Sequence, residues 1–249
     1  MPQTFYQSDW DNHLKLEYYI FEKIEADPII EPYKLTSEKK ILEFFSIWQE
    51  LKKSFVPAIF PKPKVYDSYW QRFNKWRTIR LNHKLKDLLT IEQDEKLKKV
   101  AKKLDRLITI KNLEFCHKHL SIYDIKKKGE YYYIFSNLFY GWSYPLYDSV
   151  FAFEWYILGL SDYSKKEIEN QLQKWTKTIL LSVKSNKTTQ GLYQKDIEQL
   201  HNISVAERLC AALNLDILEI KDPNKIKKMQ AILNNWLDAY LTLLNITLE

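Results

Sequence analysis

Phe115-Cys-His-Lys-His-Leu-Ser-Ile-Tyr-Asp-Ile125, Lys126-Lys-Lys-Gly-Glu130, Tyr131-Tyr-Tyr-Ile-Phe-Ser-Asn-Leu138 and Phe139-Tyr-Gly-Trp-Ser-Tyr-Pro-Leu-Tyr-Asp148 follow one another through the middle of the chain. No other segment joins a histidine-bearing polar loop, a strand-like aromatic run and a Pro-Leu-Tyr-Asp exit. Tyrosine, phenylalanine and isoleucine favour pleated backbone, and Gly129 punctuates the lysine run before them. The stretch therefore predicts a loop over Phe115–Asp124 followed by a β-hairpin over Ile125–Phe135.

Working outward, both flanks read as helix. Thr36 and Ser37 offer N-caps, and Ile41, Leu42, Phe44, Phe45, Trp48 and Leu51 follow at helical spacing to about Phe55. Pro57, Pro61 and Pro63 end that run. A second helix from Asp67 is expected to place Trp70, Phe73, Trp76 and Ile79 inward and to continue toward Leu89. A third, from Ile91, turns Leu97, Val100, Ala101 and Leu104 inward and Lys96, Lys98, Lys99, Lys102 and Lys103 outward, a solvated face. Downstream, Leu146–Leu160 is almost wholly apolar, as a buried helix would be. Helices over Lys165–Val183, Lys195–Leu213 and Asn224–Leu244 complete the chain. At the front, residues 1–13 suggest a short edge strand, and Leu14–Ile24 a second strand stopped by Pro28 and Pro32.

Composition bounds the function classes. A chain of 249 residues with 45% hydrophobic and 28% charged residues can bury a sizeable core. Its net charge of +6 is spread over 38 basic and 32 acidic residues, which argues against a dedicated nucleic-acid binder. Two cysteines give no disulfide framework, no signal peptide is visible, and no apolar run is long enough for a membrane span. A cytoplasmic protein without membrane partners is the expectation. Glycine is scarce, with only 4 residues and none before Gly129, so a glycine-rich phosphate loop is not expected.

The motifs in the central stretch resemble the aminoglycoside phosphotransferase and choline kinase-like superfamily, a protein kinase-like group. Its loop pattern, His-Gly-Asp-Leu-His-x-x-Asn-Ile, is similar to His117-Lys-His-Leu-Ser-Ile-Tyr-Asp-Ile125, with matches at His117, Leu120 and Ile125. Its Gly-x-x-x-Pro-Leu-Tyr-Asp repeats as Gly141-Trp-Ser-Tyr-Pro-Leu-Tyr-Asp148. Upstream, Tyr19–Asp27 resembles the hinge strand, with Ala26 in place of its glycine. The resemblance spans about residues 14–215 and implies a mainly α (α+β) fold. That fold is a kinase-like C-terminal lobe over 36–249, with a strand-containing remnant of the N-terminal lobe over 1–35 and a central β-hairpin.

Residue by residue, the resemblance puts His119 where the family has its catalytic Asp. Phosphoryl transfer needs positioning and charge neutralisation, and an imidazole supplies no fixed anion. The metal-ligand positions fall on Asp124 and Asn137, or on Ser136 if the hairpin slips by one; the family's Asn and Asp are exchanged. Glu22 and Ile24 stand at the nucleotide-contacting hinge. His117 and Asp148 take structural roles, one bonded within the loop and the other anchoring it or capping the following helix. Cys116, His117 and His119 lack a second ligand pair for zinc, and Asp124 reads more readily as a turn residue before Lys126–Gly129 than as a ligand. The resemblance thus implies a pseudokinase-like protein with impaired catalysis that binds a small polar molecule or a protein partner in the relic cleft. No cofactor is firmly implied; Mg²⁺ and ATP would follow if activity is retained. The alternatives are an atypical Mg²⁺-dependent phosphotransferase acting on a hydroxyl or amine, with His119 as base, and a helical binding module unrelated to kinases.

Overall fold

The computed structural model describes residues 4–7, 19–21, 25–54, 61–64, 68–108, 113–135, 140–144, 146–185 and 194–246. Among them are seven α-helices and three small antiparallel sheets. Helix α1 (Glu38–Ser54) starts at Ser37, whose hydroxyl accepts the Lys40 amide at 3.3 Å. Of the two expected caps, the residue directly before the helix serves. Ile41, Phe44, Phe45 and Trp48 of α1 are buried, as the helical spacing demands.

Helix α2 (Tyr69–Leu81) takes its first bond from another element: Asp105 accepts the Trp70 amide at 2.9 Å and the Ser68 hydroxyl at 2.8 Å. The expected aromatic stripe of Trp70, Phe73 and Trp76 packs on the core, but Ile79 turns outward and Tyr69 and Arg80 join the buried face. Tyr69, Phe73 and Arg80 are buried, Trp70 and Trp76 only partly, and Ile79 is 48% exposed. The reason is an ionic core. The Arg80 guanidinium pairs with Asp94 and donates to Asn214 Oδ1 at 3.0 Å and to the Lys86 carbonyl at 3.1 Å. Arg77 adds a two-pronged pair to the same Asp94, at 2.9 and 2.6 Å. Burying Arg80 turns Ile79 outward. The helix stops at Leu81, and Lys86–Leu88 forms a single 3₁₀ turn rather than its continuation.

Helix α3 (Ile91–Leu107) opens with a capping box in which Thr90 and Gln93 each bond the other's backbone. Leu97, Val100, Ala101 and Leu104 are buried; of the lysines expected on a solvated face, Lys99 is exposed and Lys102 lies over Trp70 at 5.1 Å, while Lys96 and Lys98 are half-buried and pair with Asp238 and with Glu95. Helix α4 (Tyr147–Gly159) is buried on nearly every side, as its unbroken apolar sequence requires. It packs on α5 (Lys165–Ser185) and α6 (Gln194–Asn214), while α7 (Pro223–Leu243) covers α6 and α1 lies along α5. Trp175 of α5 stacks between Tyr156 and Phe153 at 4.8 and 5.3 Å and meets Phe45 edge-on. No helix among the described residues is long and apolar enough to cross a membrane.

The strands are short. β1 (Thr4–Gln7) and β2 (Tyr19–Phe21) form one antiparallel pair at the front. β3 (Asp27–Pro28) joins β5 (Ile125–Lys128), which pairs in turn with β6 (Tyr131–Ile134). The β5–β6 hairpin lies inside the stretch assigned to it, turning through Gly129 at φ +59°, a left-handed conformation that suits glycine. β4 (Glu114–Cys116) pairs with β7 (Gly141–Ser143). That pair closes the base of the central stretch, so the loop and hairpin between them form one bounded excursion.

Candidate functional site

Three carboxylates hold the excursion, each accepting at least one backbone amide. Asp148, in the first turn of α4, accepts the amide of His117 on Oδ2 at 2.9 Å and that of Lys118 on Oδ1 at 2.8 Å. It is 2% exposed, so both bonds are charge-assisted and shielded from water. Glu114 Oε1 accepts the Leu146 amide at 2.9 Å, tying β4 to the start of the same helix. Asp124 Oδ2 accepts both the amide and the hydroxyl of Ser121, at 2.6 and 2.7 Å, and closes the end of the loop.

His117 stitches the loop to the hairpin. The Phe135 carbonyl faces Nε2 at 3.1 Å and can only accept, so Nε2 carries the proton; Nδ1 accepts the His119 amide at 3.3 Å. Both partners select the neutral tautomer. The ring is fully buried between Trp48 of α1 and Tyr140, with centroids 5.9 and 4.9 Å away, and burial holds its pKa below the usual imidazole value. The Asp124 carbonyl accepts the Phe135 amide at 2.8 Å and completes the seam. The neighbouring Tyr140 phenol is raised by burial, then by the Asp148 and Asp124 charges, which places those carboxylates around one ring.

Lys118 and His119 form the outward side of the loop. Both are exposed. Lys118 has φ +66°, a left-handed backbone that L-residues with side chains rarely adopt. Glycine would take this conformation without strain. The lysine stem crosses Gly141 of β7: a Cβ there would meet Lys118 Cδ at 3.1 Å and Nζ at 3.6 Å. The His119 ring lies 5.3 Å from Phe151 of α4.

His117, His119, Asp124 and Asp148 are thus brought into one neighbourhood. Glu22, Ile24, Ser136, Asn137 and Pro145 lie outside the described residues. Asp124 Oδ2 accepts from Ser121, and no group of three His, Cys, Asp or Glu side chains converges among the described residues.

Beneath Phe151 sits a cluster that helical periodicity does not reveal. Arg208 of α6 lies 4.9 Å from the Phe151 ring centroid and pairs with Glu154 of α4 at 2.6 Å and with Asp216 at 2.5 Å. All three are at most 6% exposed. Burial raises the Glu154 carboxyl well above its ordinary range; burial alone would lower Arg208, but Glu154 and its other anionic neighbours hold it firmly charged. Glu207 presents a second buried carboxylate to Arg72 at 3.2 Å, and burial raises it as well. The signal for this cluster lay in charged letters inside apolar runs: Glu154 within Val150–Leu158, and Glu207-Arg208 within Val205–Leu213. No protein-family model and no curated protein matches this chain.

Proposed function

We propose that the chain is a degenerate relative of the aminoglycoside phosphotransferases. On this reading it binds a small polar molecule, or a protein partner, in a cleft expected between the Phe115–Asp124 loop and the Ile134–Leu138 strand, without efficient phosphoryl transfer. One observation carries the reading. The loop framework is built and anchored, through Asp148 on the His117 and Lys118 amides and His117 on Phe135, while the position of the catalytic acid holds an exposed His119.

The chemistry follows from which carboxylates remain. A phosphotransferase needs an anionic group to accept or orient the substrate hydroxyl proton, and further acids to hold Mg²⁺ against the phosphates. Here Asp148 serves two amides and Asp124 serves Ser121, and both support backbone. His119 beside Lys118 is a poor substitute for an acid, because it brings no negative charge. On this reading the loop keeps an anchored framework and has lost its acid.

Calorimetric titration of ATP with and without Mg²⁺ tests the proposal. The expected result is no tight magnesium-dependent binding and no phosphate release. Tight binding that requires Mg²⁺ overturns the reading.

A further inference from the structure

Tyr33, Tyr123 of the central loop, Trp155 and Leu158 of α4, and Ile220 wall a cleft of about 550 Å³, a volume typical of small-molecule sites. Independently of the phosphotransferase reading, we infer that this cleft binds an α-amino acid with an aromatic side chain, taken up as its zwitterion. Three aromatic residues from three separate segments meet there. Tyr33 reaches its place at a backbone cost: its φ is +60°, a left-handed conformation, and its side chain is 67% exposed. The ring packs on the bare face of Gly159, in the last turn of α4, where a Cβ would meet Tyr33 Cδ1 at 3.5 Å. The carbonyl of the next residue, Lys34, accepts the Tyr156 hydroxyl at 2.9 Å and fixes the chain there. Partial burial, and then the Tyr33 phenol beside it, raise the Tyr123 hydroxyl, so the two phenols stand side by side. A strained, exposed aromatic adds little to the core, and its use is as a wall for a ligand ring.

The charged residues that line the same cleft select the polar end of the ligand. Most of them are already matched. Asp216 pairs with the buried Arg208 at 2.5 Å, and Asp162 pairs with Lys225. Asp222 caps α7, accepting the Asn224 amide at 2.8 Å. Two remain: Glu219, at the end of the 3₁₀ turn Asp216–Glu219, and Lys221, two residues on. Both are exposed, and neither joins an ion pair among the described residues. One uncommitted carboxylate and one uncommitted ammonium suit a ligand that brings one charge of each sign. The ligand's ammonium then meets Glu219, its carboxylate meets Lys221, and its ring lies among Tyr33, Tyr123 and Trp155. An aromatic amine leaves Lys221 without a counter-charge, and an aromatic acid leaves Glu219 without one.

The test titrates the full chain calorimetrically with L-phenylalanine, with phenethylamine, which lacks the carboxylate, and with phenylpropionate, which lacks the ammonium. Saturable binding of L-phenylalanine is expected, with each analogue weaker by about fivefold, the scale of one exposed ion pair. Glu219→Gln should weaken L-phenylalanine and phenethylamine and leave phenylpropionate unchanged. Lys221→Met should weaken L-phenylalanine and phenylpropionate and leave phenethylamine unchanged. Gly159→Leu fills the cleft beside Tyr33 and should abolish binding of all three. The Gly159 backbone is not left-handed, and leucine suits a helix better than glycine, so urea unfolding should show no loss of stability. The two rim variants decide the matter should Gly159→Leu fail to fold. No saturable binding of L-phenylalanine, an analogue that binds as tightly as the amino acid, or undiminished binding by a folded Gly159→Leu variant overturns the inference.

Discussion

Asp148 and Lys118 stand thirty positions apart, and the carboxylate of the first accepts the amide of the second at 2.8 Å while also accepting that of His117. The His117 amide is buried and the Lys118 amide partly so, in an irregular loop. Asp148→Ala leaves the two N–H groups unsatisfied and should cost about 3 kcal/mol. Urea unfolding measures it. Asp148→Asn, which keeps one acceptor oxygen, should fall between wild type and Ala.

Lys118→Gly should have the opposite sign. Glycine adopts φ near +66° without the Cβ clash, so relief of strain outweighs the added freedom of the unfolded chain. The variant should be more stable by about 1 kcal/mol by thermal or urea unfolding. A destabilised variant would mean that the lysine stem on Gly141 contributes more than the backbone strain costs.

Arg208→Met strands Glu154 and Asp216 in a low-dielectric interior and should cost about 3 to 5 kcal/mol. Adding Glu154→Gln removes one of the uncompensated charges and should restore part of the loss. Equal stabilities for the single and the double variant would show that Glu154 already holds a proton in the folded chain. Comparing the two by urea unfolding at constant pH decides this.

His201 sets an acid limit. It is buried in α6, its Nδ1 has no hydrogen-bond partner, and burial pushes its pKa down from 6.5 to about 4. The folded chain therefore refuses a proton that the unfolded chain accepts. Stability is unaffected above pH 6.5, falls as the pH drops from there, and levels off near 4, by about 3 kcal/mol in total from this group. His201→Leu should flatten that part of the stability–pH curve. An unchanged slope between the two pH values would refute the assignment.

The helices were legible because their apolar letters repeat at the right period: Ile41, Phe44, Phe45 and Trp48 in α1, and Leu97, Val100, Ala101 and Leu104 in α3, are all buried. The hairpin was legible from Gly129 and the tyrosine run. In α2 only Ile79 was misplaced, because periodicity counts arginine as a surface residue, whereas Arg80 is 1% exposed and bonded to Asp94 and Asn214. Those partners lie on other helices, and no local pattern announces them. The Arg208 cluster escaped for the same reason: Glu154 is 54 positions away. In the central stretch, His117 bonds Phe135 and Asp148 accepts the His117 and Lys118 amides. The left-handed backbone of Lys118 was not legible, because a lysine gives no sign that it occupies a place suited to glycine.

The Asp148 anchor has one more consequence, for portability. The loop and hairpin could be excised as a peptide covering residues 113–135, and Gly129 would still favour the turn. The carboxylate that bends the loop at Lys118 belongs to α4, beyond the end of such a fragment, and α4 is buried on almost all sides by other helices. A graft of the loop alone onto another scaffold would therefore relax at Lys118 and scatter its two basic side chains. Only a transplant that carries α4 and its helical surroundings would preserve them.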